Sequence, residues 1–292
     1  MKKAAALLCF LASFAYAQKR PAITGIAFVR IYTADPAAST AFYKDKLGFD
    51  RSEKDGLARY AVSDSQWLEV TALPTPAPQS RIAAIAFTTR NATGLAQYLK
   101  AHNVAIDQPL RNGSFGVHDP EGHLVIFVQQ RPASSKTISP RATSHRIIHT
   151  GFWVHDRARE DQFWHDILGF RPLWFGGQHD GEINYVSSQV PEGTDWIEYM
   201  LNRGESPNAH SLGSMNHFSL GVAHMSDAVA ALARNGCTGP ECRKTQMGRD
   251  GKIQLNLFDP DLTRVEFMEF KPSGTTCCSP FTGPPPSETE NR

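Results

Sequence analysis

Apolar and polar positions along this chain follow one grammar four times: an apolar strand-like run, an amphipathic helical stretch, then several alternating strands. The first block opens at Ile23-Thr24-Gly25-Ile26-Ala27-Phe28. Its helix is predicted over Ala37 to Leu47 and stops at Gly48, well placed for a left-handed residue. The third block repeats it, with the run Ile147 to Val154, then Asp156 and a helix ending Phe163-Trp164-His165-Asp166-Ile167-Leu168-Gly169-Phe170. In the second block Ile82 to Thr89 leads to a helix over Thr93 to His102. In the fourth, Phe218 to Val222 leads to one over Ser226 to Asn235. Both close on an Asp-Pro turn and a strand, Asp119-Pro120-Glu121-Gly122 before Leu124 to Phe127, and Asp259-Pro260-Asp261 before Arg264 to Phe267. The order is therefore A-B-A′-B′, two blocks to each half. Residues 131–144, rich in Pro, Ser, Thr and Ala, read as a linker, and residues 272–292 as a disordered tail.

Composition narrows the class. The 292 residues suffice for two domains, and 41% apolar with 20% charged residues suits a globular protein. Charges nearly cancel, at 30 basic against 29 acidic, and no basic stripe appears, so nucleic acid is an unsuitable partner. Residues 1–17 carry an export pattern: Lys2 and Lys3, the apolar run Ala4 to Phe14, and Ala15-Tyr16-Ala17 as a cleavage site. That run is too short to span a membrane, and a periplasmic or secreted protein is expected. In an oxidising compartment Cys237 and Cys242, which bracket Thr-Gly-Pro-Glu, are the first choice for a disulfide; Cys277 and Cys278 follow in the tail.

The candidate chemistry lies in the second half. His149 opens one strand and Glu198 follows 49 positions later; His217 opens another and Glu266 follows it by 49 positions. Two imidazoles and two carboxylates brought together suit a divalent transition metal, with Fe, Mn, Ni and Zn all open. Glu269, on the strand of Glu266, competes as a ligand, but the Asp-Pro register favours Glu266. Alternation puts His149, Gly151 and Trp153 on one face, and His217, Ser219 and Gly221 likewise. His118, His123, His155, His165 and His179 are expected at the surface. Laid on the first half, the four positions become Phe28, Glu69, Ala84 and Ile126, so that half is read as a structural partner without a metal site.

The Phe-Tyr-x-x-x-Leu-Gly-Phe helix end, the Asp-Pro-(Asp/Glu) turn and the block order resemble the vicinal oxygen chelate superfamily. That group includes glyoxalase I, extradiol dioxygenases and fosfomycin- and bleomycin-resistance proteins. The resemblance implies an α+β fold of four tandem βαβββ modules, paired into two open barrel-like sheets, over residues 22–130 and 145–271. It implies one metal in the C-terminal domain on His149, Glu198, His217 and Glu266. The His-Glu-His-Glu order resembles a glyoxalase-like lyase or isomerase acting through an enediolate or enolate, with Glu198 or Glu266 as the catalytic base. The alternatives are an Fe(II) extradiol-type ring-cleaving dioxygenase on His149, His217 and Glu266, with His210 a candidate acid-base, and a non-catalytic binding or resistance protein. Each acts on a small molecule, in a pocket assigned to Trp153, Trp174, Tyr185, Gln254 and Asn256; assembly into a homodimer is left open.

Overall fold

The computed structural model describes residues 19–131, 138–202, 204 and 207–288. The proposed signal segment and part of the linker therefore lie outside the described residues. Sixteen strands form two eight-stranded sheets. In the N-terminal half these are β1 (Ile23–Thr33), β2 (Asp50–Lys54), β3 (Leu57–Ala61), β4 (Trp67–Ala72), β5 (Ile82–Thr89), β6 (Gln108–Arg111), β7 (Ser114–His118) and β8 (Leu124–Gln129). In the C-terminal half they are β9 (Ile147–Trp153), β10 (Arg171–Gly176), β11 (Tyr185–Gln189), β12 (Trp196–Met200), β13 (His217–Val222), β14 (Thr245–Met247), β15 (Ile253–Phe258) and β16 (Arg264–Glu269). The order β2-β3-β4-β1-β5-β8-β7-β6 recurs as β10-β11-β12-β9-β13-β16-β15-β14. Each half thus joins two modules edge to edge through their first strands, as the fourfold pattern predicts.

The first helix of each half departs from that pattern. Helix α1 (Pro36–Thr40) gives way to a wider, π-type segment at Ala41–Lys46, and in the second half α3 (Arg157–Asp161) does the same at Gln162–Ile167. The wider turn carries the aromatic pairs Phe42-Tyr43 and Phe163-Trp164 into the core. Gly48 and Gly169 follow with φ of 76° and 75°, the left-handed stop that only glycine adopts without strain. The second helices, α2 (Ala92–Ala101) and α5 (Met225–Arg234), lie close to their expected bounds, and a short helix, α4 (Ala209–Met215), precedes β13. Disulfides join Cys237 to Cys242 and Cys277 to Cys278.

The halves share one apolar core, with Phe87 edge-on to Trp164 and Phe170. Around it the two Asp-Pro turns trade roles. Glu121 accepts from the backbone N–H groups of His155 and Asp156, at the start of α3, and Asp261 accepts from Ala34 N–H, just ahead of α1. Gln66 clamps Ile147 through both its amide atoms, while the equivalent Asp195 accepts from Ile26 N–H and pairs with Arg146. The end of the linker docks too, Thr143 bonding to the Leu47 carbonyl and Ser144 to that of Gly221.

Two expectations need correction. Residues 272–288 are not a disordered tail but run against the C-terminal sheet. Trp174 donates to the Cys277 carbonyl, Thr282 binds the backbone of Leu173, Gln189 donates to the Pro284 carbonyl, and Arg146 to that of Ser287. Proline-rich backbone has few donors, and here its carbonyls accept from side chains of the sheet. His123 and His165 are not plain surface residues either, being partly buried on Asp119 and Ser188.

At the seam, Glu160 is buried and accepts from Trp164 Nε1 and from Glu121 N–H of the other half. Burial, then the charge of Asp119, pushes its carboxyl up to about 8 from 4.5. The fold therefore favours the protonated acid. That stabilisation is complete below about pH 4.5 and is lost as pH rises through 8. The urea midpoint of the wild type should fall across that window, and Glu160→Gln, which cannot ionise, should fall less steeply; parallel curves would refute the assignment.

Candidate metal centre

The site is built from two neighbouring rows of residues across the C-terminal sheet. One row runs Gln189, Trp196, His149, Ser219, Glu266, Asn256; the next runs Ser187, Glu198, Gly151, His217, Arg264, Phe258. In each row a small residue separates a His from a Glu, so two long side chains lean together over the gap. Gly151 is essential to this arrangement, because a Cβ there would run into the His217 ring. A side chain at that position would push the imidazole out of the site.

The side chains converge as the tandem spacing predicts. His149 Nε2 lies 3.1 Å from His217 Nε2 and 3.2 Å from Glu266 Oε2, and the His217 nitrogen is 3.9 Å from that oxygen. One donor atom from each of these three residues lies within 4.8 Å of the others. Glu198 stands at the rim: its Oε2 is 3.6 Å from His217 Nε2, yet it does not join the mutually close set. Ligands bound at right angles with bonds of about 2.1 Å sit about 3 Å apart, close to the two shorter distances here. Along the same row Ser219 Oγ, Asn256 Oδ1 and Glu266 Oε2 are buried without a hydrogen-bond partner among the described residues. Two imidazoles and a carboxylate with an unspent oxygen fit a divalent transition metal.

Charge around the centre is unusual. Arg264 donates from Nη2 to His217 Nε2 at 2.7 Å. A guanidinium only donates, so that nitrogen is unprotonated, and a metal bound there would take the same lone pair and release Arg264. Burial pushes the His149 imidazole down, towards the neutral form. Burial raises Glu266, but Arg264, His149 and Lys252 outweigh it and hold the carboxylate below its usual range. Glu198 has less help: burial, then the Glu266 charge, pushes it up to about 7.

A cavity of about 180 Å³ opens beside these residues. Trp174, Tyr185 and Gln254 line it, along with Trp196, Lys252, Arg264 and Phe281. Trp153 does not: two residues beyond Gly151 on β9, it packs with Met200 and Met215 and faces a separate cleft beside His155. Asn256 sits opposite Glu266 on the ladder but outside the cavity lining. Glu269 is no competitor, since it caps α5 by accepting from Met225 N–H. His210 stacks on Phe258 and does not line the cavity. Sequence reasoning missed Arg264 and Lys252, although each lies two positions ahead of a residue it assigned to the site, Glu266 and Gln254, on the same strand face.

The model of the Glyoxalase/Bleomycin resistance protein/Dioxygenase superfamily matches residues 25–127 and 146–267. The chain belongs to this superfamily. Solved structures agree in fold. Homoprotocatechuate 2,3-dioxygenase from Brevibacterium fuscum, in an anaerobic complex with 3,4-dihydroxyphenylacetate, is 17% identical with a TM-score of 0.64, covering 91% of this chain and 84% of its own. The 2,3-dioxygenase LapB from Pseudomonas sp. KL28 is 14% identical with a TM-score of 0.62, covering 90% and 97%. No curated protein matches the sequence. Superfamily membership is consistent with a divalent metal at the triad His149, His217 and Glu266.

Gly151→Ala tests the geometry directly. The added methyl should displace the His217 ring and weaken metal binding on the order of tenfold or more, with the fold retained. Titration of Fe(II) or Zn(II) by calorimetry reads this, and wild-type affinity in the variant would exclude His217 as a ligand.

Proposed function

We propose that the C-terminal half holds iron(II) on His149, His217 and Glu266 and acts as an extradiol-type dioxygenase on a small aromatic diol. The observation that carries this reading is the convergence of three donor atoms while Glu198 stays at the rim. A three-residue facial set suits non-haem iron and leaves open positions for substrate oxygens. When bound, the metal would supply Lewis-acid and redox chemistry to a substrate chelated through two adjacent oxygens. The protein's own groups do the rest. Glu198, at the rim beside His217, takes the proton of a substrate hydroxyl as it binds. Trp174 and Trp196 give the ring flat apolar walls, and the buried rows keep water from the reacting atoms. The shared fold with ring-cleaving dioxygenases makes this the first reaction to assay. The two disulfides and the amino-terminal export pattern support action in the periplasm or outside the cell.

The second reading is a glyoxalase-like lyase or isomerase in which Glu198 becomes a fourth ligand and the base. The 3.6 Å approach of its carboxylate to His217 favours it.

Metal content and oxygen uptake with catechol separate the two. For the dioxygenase, Glu198→Gln should keep nearly full metal occupancy while turnover falls by roughly 100-fold or more, the scale of general acid–base catalysis. Glu266→Gln should lose both. Loss of metal in Glu198→Gln would move the assignment to the four-ligand lyase. A wild-type protein that takes up no metal would leave a small-molecule binding protein.

A further inference from the structure

The cavity has a second polar feature beside the metal centre. Lys252 lines it while only 2% exposed, and its ammonium makes one ion pair within 4.0 Å among the described residues, to Asp250 at that limit. It donates no hydrogen bond to those residues, so all three N–H groups remain to be satisfied. Two aromatic rings frame it: Trp196, with the ammonium 4.5 Å from the ring centroid, and Phe281 of the C-terminal tail, at 5.0 Å. Trp196 in turn stacks on His149 at 4.8 Å, and Phe281 on Trp174 at 6.3 Å. The charge reader and the metal centre therefore share one aromatic wall.

The action of Lys252 on Glu266 is through space and leaves the ammonium without a hydrogen-bond partner among the described residues. Burying an ammonium is costly unless it is paired and hydrogen-bonded, and ring faces offset only part of that cost. Asp250 is a distant counter-charge, its carboxylate oxygen 4.0 Å from the ammonium and too far for a hydrogen bond. Of the other cations of the lining, Arg249 is engaged with Asp180 and the Gly177 carbonyl, and Arg264 lies beside His217 at the metal centre. The lining sets three cations, Lys252, Arg264 and Arg249, against three carboxylates, Glu198, Glu266 and Asp250, so total charge does not select the ligand; Lys252, which donates no hydrogen bond among the described residues, is the group left to receive an anion.

We propose that Lys252, framed by Trp196 and by Phe281 from the tail, binds a carboxylate carried by the aromatic substrate. This rests on the metal-and-diol reading above and adds the charge of the molecule the pocket selects. The tail then has a function: by docking along the sheet it brings Phe281 over the ammonium and closes the outer side of the carboxylate site.

The test compares 3,4-dihydroxybenzoate with its uncharged methyl ester, titrated by calorimetry without oxygen into the iron(II)-loaded full-length protein. The wild type should bind the acid more tightly than the ester by on the order of tenfold, the scale of one charge-assisted hydrogen bond. Lys252→Met should bring the two affinities together, and Phe281→Ala should narrow the gap without closing it. Iron stoichiometry on the same samples reports whether each variant keeps its fold and triad. Equal affinities in the wild type would overturn the proposal with no variant needed, and a preference kept in Lys252→Met would overturn it as well. If the ester binds but charge does not matter, the diol reading stands and only the Lys252 assignment falls. If neither diol binds to iron-loaded protein, both fall together.

Discussion

The metal centre depends on one register, the antiparallel pairing of β9 with β13, which sets Gly151 opposite His217 and His149 opposite Ser219. A slip of a single residue would turn every one of these side chains to the other face of the sheet. The absence of a side chain at Gly151 gives the His217 ring its place, and the small Ser219 lets His149 and Glu266 meet across the row. Burial then holds the His149 imidazole towards neutrality, while Arg264, His149 and Lys252 keep Glu266 ionised. Local geometry and local electrostatics thus favour the same thing, a neutral imidazole and an ionised carboxylate brought close together.

The N-terminal half shows how little separates such a centre from a packed core. Its corresponding rows are Phe28, Ala86, Ile126 and Glu69, Arg30, Ala84. Arg30 occupies the position of Gly151. With Arg59 it pairs with Glu69, which also accepts from Trp67 Nε1. Phe28 stacks on Trp67 within an apolar cluster that includes Ala84, Ala86 and Ile126. The same ladder and the same Trp-x-Glu therefore carry a neutralised carboxylate in one half and a rim carboxylate in the other. The first half contributes its packing instead: the shared aromatic core and the exchanged Asp-Pro turns hold the second half's strands in place.

The tail adds a constraint of another kind. Its docking gives otherwise unsatisfied carbonyls of a proline-rich segment their donors, and Phe281 a place against Trp174 and Lys252. Composition alone pointed to disorder, because few of its residues can contribute to a core of their own. Several of the partners it uses, among them Trp174 and Gln189, are more than 80 positions away in sequence.

The sequence by itself marked the fourfold repeat, the glycine stops after the first helices, the Asp-Pro turns and four metal-ligand candidates, three of which have donor atoms that converge. All of these rest on short-range periodicity and on a spacing repeated in tandem. It also marked Phe28, Ala84 and Ile126 as the positions where the first half departs, since matched repeats can be laid on one another. Tertiary structure decided what depends on neighbours from other strands. It set Glu198 at the rim rather than among the closest donors, and moved Trp153 and Asn256 out of the cavity lining. It made Glu269 a helix cap, and brought Arg264, Lys252 and Phe281 to the centre. Alternation along one strand says which face a side chain takes, but how far it stands from a metal is fixed by sheet curvature and by the side chains in the next row.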